Sequence, residues 1–170
     1  KVIIRQLGPL MTAIMLAARV GTGIAAELGS MVVTEQIDAL KMSNTDPVEY
    51  LVVPRFIACF VMQFALTVFG VVVAIAAGMG TAWIGFEVHP QTFLNTQLLN
   101  PGDLVIAWCK CASYGVAIPI LSAQAGLGTR GGSEGVGWAT TRAVVNSSVA
   151  VVILDFLWSA LRFTLFPPLL

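Results

Sequence analysis

The sequence predicts an all-α polytopic membrane protein with four transmembrane helices and one short polar helix between the first two. Three observations lead there. Of the residues, 57% are hydrophobic and only 11% charged, where soluble domains carry roughly 25% charged residues. Mean hydropathy is +0.87. Four segments meet the ~20 largely apolar residues that a bilayer crossing requires. The length of 170 residues fits one domain, 1–170, and the net charge of zero speaks for no nucleic-acid partner.

The first span runs from about Leu7 to Leu28 and contains Arg19. The second, Phe56 to Ile84, has no charge and exceeds what a crossing needs, which predicts tilt or a re-entrant end. The third, Leu104 to Ala125, contains Lys110 and Pro119, and the fourth, Ala143 to Phe163, contains Asp155 and Arg162. Helix is forced in each, because lipid offers backbone groups no other partner.

The connections differ in character. Residues 29–55 hold the polar helix, a break at Ser43-Asn44-Thr45, and then Asp46-Pro47-Val48-Glu49. In that last run Asp46 suits a cap, Pro47 the first helical position and Glu49 the capping-box position. Pro54 is expected to bend the chain before the second span. Residues 85–103 carry His89 but no Lys or Arg, and residues 126–142 form a Gly-rich loop with Arg130 and Arg142. Lys41, Arg55, Arg130 and Arg142 place the 29–55 and 126–142 loops in the cytoplasm and the 85–103 loop on the other side of the membrane. Lys1 and Arg5 count against that orientation, with less weight.

Small residues recur at every fourth position of the first span: Ala13, Ala17, Gly21, Ala25 and Gly29. Such a ladder admits another helix at close range, although small residues are common in membrane helices and the ladder names no partner. Charges within a span cost ~2.5–3.5 kcal/mol each on insertion scales. Arg19, Lys110 and Asp155 therefore need partners or water. Arg5, Lys110 and Asp155 are expected to form one polar cluster toward the non-cytoplasmic mouth; a structural ion pair holding the spans together is the competing reading.

The remaining motifs carry less. Gly126-Leu127-Gly128-Thr129-Arg130-Gly131 matches GxGxxG but lacks the strand a dinucleotide fold places before it. His89, the only histidine, has no ligand set around it, so no metal site is expected. Cys59, Cys109 and Cys111 lie in apolar runs without paired spacing and read as buried thiols. The Asn146-Ser147-Ser148 sequon falls at the start of a span and is discounted. No nucleophile-and-base pair is visible, so the chain is not expected to be an enzyme. In the polar helix Val33, Ile37 and Leu40 make one apolar stripe, with Glu35, Asp38 and Lys41 mostly off it. Interfacial lipid binders favour a basic polar face. This acid-leaning face favours a protein partner over a resting place on lipid.

Several runs together carry a family resemblance. They are Arg5-Gln6-Leu7-Gly8-Pro9, Ala18-Arg19-Val20-Gly21, Ala26-Glu27-Leu28-Gly29-Ser30-Met31, Thr34-Glu35-Gln36-Ile37-Asp38-Ala39-Leu40, Val53-Pro54-Arg55, and Ala139-Thr140-Thr141-Arg142 through Ser148, with Asp155-Phe156. In that order they resemble the MlaE/YrbE family of ABC transporter permeases over essentially the whole chain. The resemblance implies further segments upstream of Lys1 and a bacterial inner-membrane location. It implies a homodimer bound to a cytoplasmic ATPase that holds the ATP and magnesium, with no cofactor in this chain. It also implies a periplasmic MCE-domain protein, in many cases a STAS-domain protein, and phospholipid moved between inner and outer membranes. Residues Glu35, Gln36, Ile37, Asp38, Ala39 and Leu40 match the family's coupling helix. Arg5, Gln6, Lys110 and Asp155 match a region near its lipid-handling site. Members usually carry Glu at the position of Gln6, so this chain lacks one charge there. An ion- or proton-coupled secondary transporter and a purely structural scaffold are the alternatives.

Overall fold

The computed structural model describes residues 3–86 and 101–165, with side-chain surroundings for 5–85 and 102–162. Helix α1 covers residues 3–33: the α-helical stretches Gly8–Leu16 and Thr22–Val33, with wider π-type turns at Ile3–Leu7 and Ala17–Gly21. The short α2 is Gln36–Met42. Helix α3 covers residues 48–86, a π-type turn Val48–Val52 followed by Val53–Phe86. Helix α4 is Pro101–Leu127 and α5 is Gly132–Leu165.

Among the described residues, four helices are long and apolar enough to cross a membrane: Arg5–Val33, Val48–Gly85, Gly102–Leu127 and Gly132–Arg162. All four expected spans are present, and each is longer than expected. Residues 29–33 extend α1, and residues 132–142, expected as Gly-rich loop, are the first turns of α5. The α4–α5 connection shrinks to a tight turn in which Gly131 and Gly132 take φ of 90° and 77°, a region that costs other residues a steric clash. α3 is unbroken and has no re-entrant end among the described residues. Pro54 does not bend the chain out of helix. It lacks an N–H, and the wider turn before it hands the bond to Val53, whose N–H reaches the Val48 carbonyl. Residues 87–100, most of the expected 85–103 loop and including His89, lie outside the described residues.

The small-residue ladder acquires its partners. Ala13, Ala17, Gly21, Ala25 and Gly29 are all buried, and the ladder packs on α4 and α5. At Gly126 α4 comes up against the backbone of α1: a Cβ there would lie 2.9 Å from Leu28 Cβ and 3.0 Å from the Ala25 carbonyl oxygen. Gly21 and Gly29 leave room for the hydroxyls of Ser122 and Thr129 in the same way. Between helices in lipid, close van der Waals packing of this kind takes over from the hydrophobic effect as the main attraction. The core gathers Ala13, Leu16, Ala17, Tyr114, Ile118 and Val151 at one level, and Ile24, Leu28, Cys59 and Ala123 at another. Gln63 is fully buried; its Nε2 lies 3.5 and 3.4 Å from the Thr12 and Thr67 hydroxyl oxygens, a polar stitch between α1 and α3. Cys59 and Cys111 are buried thiols as expected, while Cys109 is half-buried. The sequon lies within α5, and Ser147 is fully buried.

The chain runs α1 toward one end of the bundle, turns through α2, and returns along α3. α4 leads back to the α2 end, where Thr129 meets Gly29, and α5 returns again. Arg5, Asp103 and Arg162 meet at the opposite end.

Candidate functional site

Lys110 is the centre of the polar cluster. It lies on α4 with its side chain 1% exposed, inside a segment where an unpaired ammonium is costly. Its Nζ donates to Asp155 Oδ1 at 2.7 Å, Gln6 Oε1 at 2.7 Å and Ser159 Oγ at 3.0 Å. An ammonium has three protons, and three acceptors from two other helices take them. Asp155 is equally committed. Oδ1 also accepts from the Tyr114 hydroxyl at 2.8 Å, and Oδ2 accepts from Gln6 Nε2.

Gln6 links the two charged residues without adding a charge. Its amide accepts from Lys110 and donates to Asp155. A glutamate would accept from Lys110 but would set a second carboxylate against Asp155. The pair Lys110–Asp155 is balanced as it stands.

The expectation for Arg5 needs correction. It does not join Asp155. Its guanidinium lies 3.8 Å from Asp103 Oδ1, and Arg162 contacts the same oxygen at 2.8 Å. Asp103 opens α4, Arg5 opens α1 and Arg162 lies near the end of α5, so this second ion group ties three helix ends together. The two groups share one cavity. About 300 Å³ in volume, it is lined by Arg5, Gln6, Ile106, Lys110, Ser159 and Arg162. Three cations border this space and no carboxylate lines it; Asp155 and Asp103 behind it offset two of the charges and Lys110 has no proton left to donate, so an anion there would be met by Arg5 and Arg162. A second, apolar cleft of about 310 Å³ flanks the same part of α4 on another face, with Leu104, Trp108 and Cys111 against Phe64 and Val68 of α3.

Asp103, Tyr114, Ser159 and Arg162 were not among the expected site residues. Charge inside a span was the available signal for Arg162. Tyr114 and Ser159 carry no charge, and Asp103 stands at a helix start, where an acidic residue is commonplace.

The other end of the bundle carries α2. Ile37 is buried against the bundle and Leu40 is half-buried, whereas Glu35, Gln36, Asp38 and Ala39 are exposed. The expected stripe thus anchors the helix through Ile37, but Val33 belongs to α1 and is itself exposed. Glu35 is not in the helix. It sits in the left-handed region at φ 60°, the corner between α1 and α2. Asn44 repeats that conformation at φ 58° after α2. There the Thr45 N–H reaches the Leu40 carbonyl and the Asn44 N–H the Lys41 carbonyl, a Schellman ending. Asp46 caps the next helix as expected, its Oδ1 accepting from the Val48 N–H at 2.9 Å, whereas the exposed Glu49 makes no capping-box bond. Below α2, Arg55 Nη2 donates to Glu27 Oε2 at 2.6 Å, which closes the excursion between α1 and α3. Met42 and Tyr50 add exposed apolar surface beside the acidic face, 89% and 64% accessible.

A family profile described as Permease MlaE matches residues 1–161. A protein of Synechocystis sp. named "Probable ABC transporter permease protein" is 44% identical over 94% of this chain and 61% of its own length. A protein of the same name from Rickettsia bellii is 39% identical, over 94% of this chain and 62% of its own. Protein TRIGALACTOSYLDIACYLGLYCEROL 1, chloroplastic, of Arabidopsis thaliana is 40% identical over 94% of this chain and 46% of its own. The chain therefore spans less than two thirds of the length of these relatives. With four apolar spans, a short helix turned out at one end and a matched stretch of 161 residues, the chain belongs to the MlaE permease family.

Proposed function

We propose that this chain is part of the permease subunit of an ABC transporter that moves phospholipids or related lipids between inner and outer membranes of a bacterium. The cavity lined by Arg5, Gln6, Lys110 and Arg162 carries the reading. A phospholipid presents an anionic phosphate beside two apolar tails. The cavity supplies cations for the first, and the neighbouring apolar cleft on α4 supplies a wall for the second. Relatives named as ABC transporter permeases, and one whose name carries a galactolipid, support the transporter class and the lipid class respectively.

In this mechanism the energy comes from a separate cytoplasmic ATPase that binds ATP and magnesium. The exposed surface at α2, with Glu35 at its entry corner and Gln36 and the Lys41-paired Asp38 in the helix, docks in it. Ile37 and Leu40 seat α2 on the bundle, so a push on α2 passes to α1 and α3 through short rigid corners rather than a slack loop. Two copies of the permease enclose the lipid path. A periplasmic MCE-domain protein receives or delivers lipid at the Arg5–Arg162 end, and a STAS-domain protein accompanies the ATPase.

The test is reconstitution of the complete permease with its copurifying ATPase in vesicles containing labelled phosphatidylglycerol. ATP-dependent lipid movement is expected, together with loss of the ATPase from a Glu35→Arg complex. Movement driven by a proton gradient without ATP would establish the secondary-transporter alternative instead. Unchanged lipid movement when Lys110 and Asp155 are both replaced by apolar residues would leave the cluster a scaffold.

A further inference from the structure

Arg19 lies at the midpoint of the span Arg5–Val33, roughly 21 Å from either end at ~1.5 Å per residue. It is exposed, and among the described residues no carboxylate or other acceptor meets its guanidinium. The half-thickness of a bilayer's hydrocarbon is ~15 Å. The nearest charged level on α1 is the Glu27–Arg55 pair, eight residues toward the α2 end, or roughly 12 Å. A helical side chain leans toward its helix N-terminus, so Arg19 leans away from that level. Snorkelling to the near surface works against the geometry.

The row on which it stands is apolar toward the Arg5 end, where Met11 and Met15 are exposed, and polar from Arg19 toward the α2 end. Met11, Met15, Arg19, Gly23 and Glu27 stand four apart and are all exposed. This row lies opposite the buried ladder. From Arg19 onward it offers a cation, a bare backbone with open space beside it, and a carboxylate. By contrast α3 and α5 expose Val68, Phe69, Val152 and Phe156, which suit lipid tails. A polar row in mid-membrane needs water or an opposite charge. The nearby carboxylate, Glu27, is already held by Arg55.

We infer that the Arg19 face of α1 borders a hydrated passage, and that its guanidinium meets the phosphate of the transported lipid midway between the two ends of the bundle. The headgroup contact rests on the lipid-transport reading above. Arg19 then serves as a second cationic station, separate from the cavity at the Arg5–Arg162 end.

The experiment uses the full-length permease bound to its ATPase, in phosphatidylglycerol–phosphatidylcholine vesicles. Cys59, Cys109 and Cys111 are replaced by Ala, and Arg19→Cys or, on the same row, Gly23→Cys is introduced. Membrane-impermeant cationic and anionic thiosulfonates are expected to label both positions. Arg19→Cys should slow phosphatidylglycerol transfer roughly tenfold, the scale of one charged hydrogen bond. The aminoethyl reagent, which restores a cation, should recover transfer, and the sulfonatoethyl reagent should not. Labelling by N-phenylmaleimide alone would put the row in lipid, and labelling by no reagent would put it under protein; either overturns the proposal. Transfer indifferent to the charge restored at position 19 overturns the headgroup contact. A parent complex that moves no phospholipid sinks the lipid-transport reading and that contact with it, while hydrophilic labelling in the same sample still upholds the hydrated face.

Discussion

Asp155→Asn is the most informative single change. It alters one atom and removes one charge. Lys110 keeps its acceptors Gln6 Oε1 and Ser159 Oγ but loses the one anionic partner it has among the described residues, at 2.7 Å. The side chain is 1% exposed, so water cannot replace the lost charge. Breaking a buried pair from one side costs about 3–5 kcal/mol, because the remaining charge stays uncompensated. The Tyr114 hydroxyl and Gln6 amide also lose a charged acceptor. Replacing both partners is different. In Lys110→Met with Asp155→Leu no buried charge remains, and such exchanges are often neutral or stabilising. The expected pattern is that Asp155→Asn falls by about 3–5 kcal/mol in reversible unfolding in mixed micelles, and the double variant recovers most of that loss. Lipid transfer should fail in both, since the double variant folds without the polar lining. An Asp155→Asn variant within about 0.5 kcal/mol of the parent would refute the uncompensated-charge reasoning. Full transfer by the double variant would refute the role of the cluster in handling lipid.

Gly126→Ala should lower stability by about 1–3 kcal/mol, since its Cβ meets the Ala25 backbone as well as Leu28 and backbone cannot swing aside; a melting curve matching the parent would contradict the close approach of α1 and α4. At Glu35 the two possible roles separate by choice of residue. Asn tolerates φ 60° and should leave permease levels unchanged, whereas β-branched Val should lose about 1–2 kcal/mol from strain at the corner. Glu35→Arg should release the ATPase without lowering the amount of permease in the membrane, because the side chain is exposed. Arg55→Gln should cost no more than about 1 kcal/mol, because Glu27 is 65% exposed and water screens the pair; a larger loss in the unfolding assay would mean that the closure between α1 and α3 holds more of the fold than its exposure implies.

Much of the architecture was legible from local chemistry. The four spans follow from runs of apolar residues, and Asp46-Pro47 marks the start of α3 by the same rules that govern soluble helices. Helix ends were less legible. Residues 132–142 are rich in Gly and Thr and read as loop, yet they continue α5. Gly135 allows this, since a Cβ there would lie 2.0 Å from the Arg130 carbonyl oxygen, so the tight turn needs that glycine. Of the site, Lys110 with Asp155 was legible because charge in a span demands a partner. Which partner goes with which was not: Arg5 pairs with Asp103 across three helix ends rather than with Asp155.

By itself the sequence determined the number of spans, the presence of a polar helix between the first two, and the identity of the charges that must be neutralised inside them. Each of these rests on neighbours within a few turns, where backbone hydrogen bonding and the cost of charge in lipid leave little choice. Only the tertiary structure decided how those charges are shared. Gln6 reaches Lys110 and Asp155 across more than a hundred residues of chain, and no local preference encodes that meeting. It follows from the small-residue ladder, which sets α1 against α4 and α5 at one register and so fixes which side chains face one another.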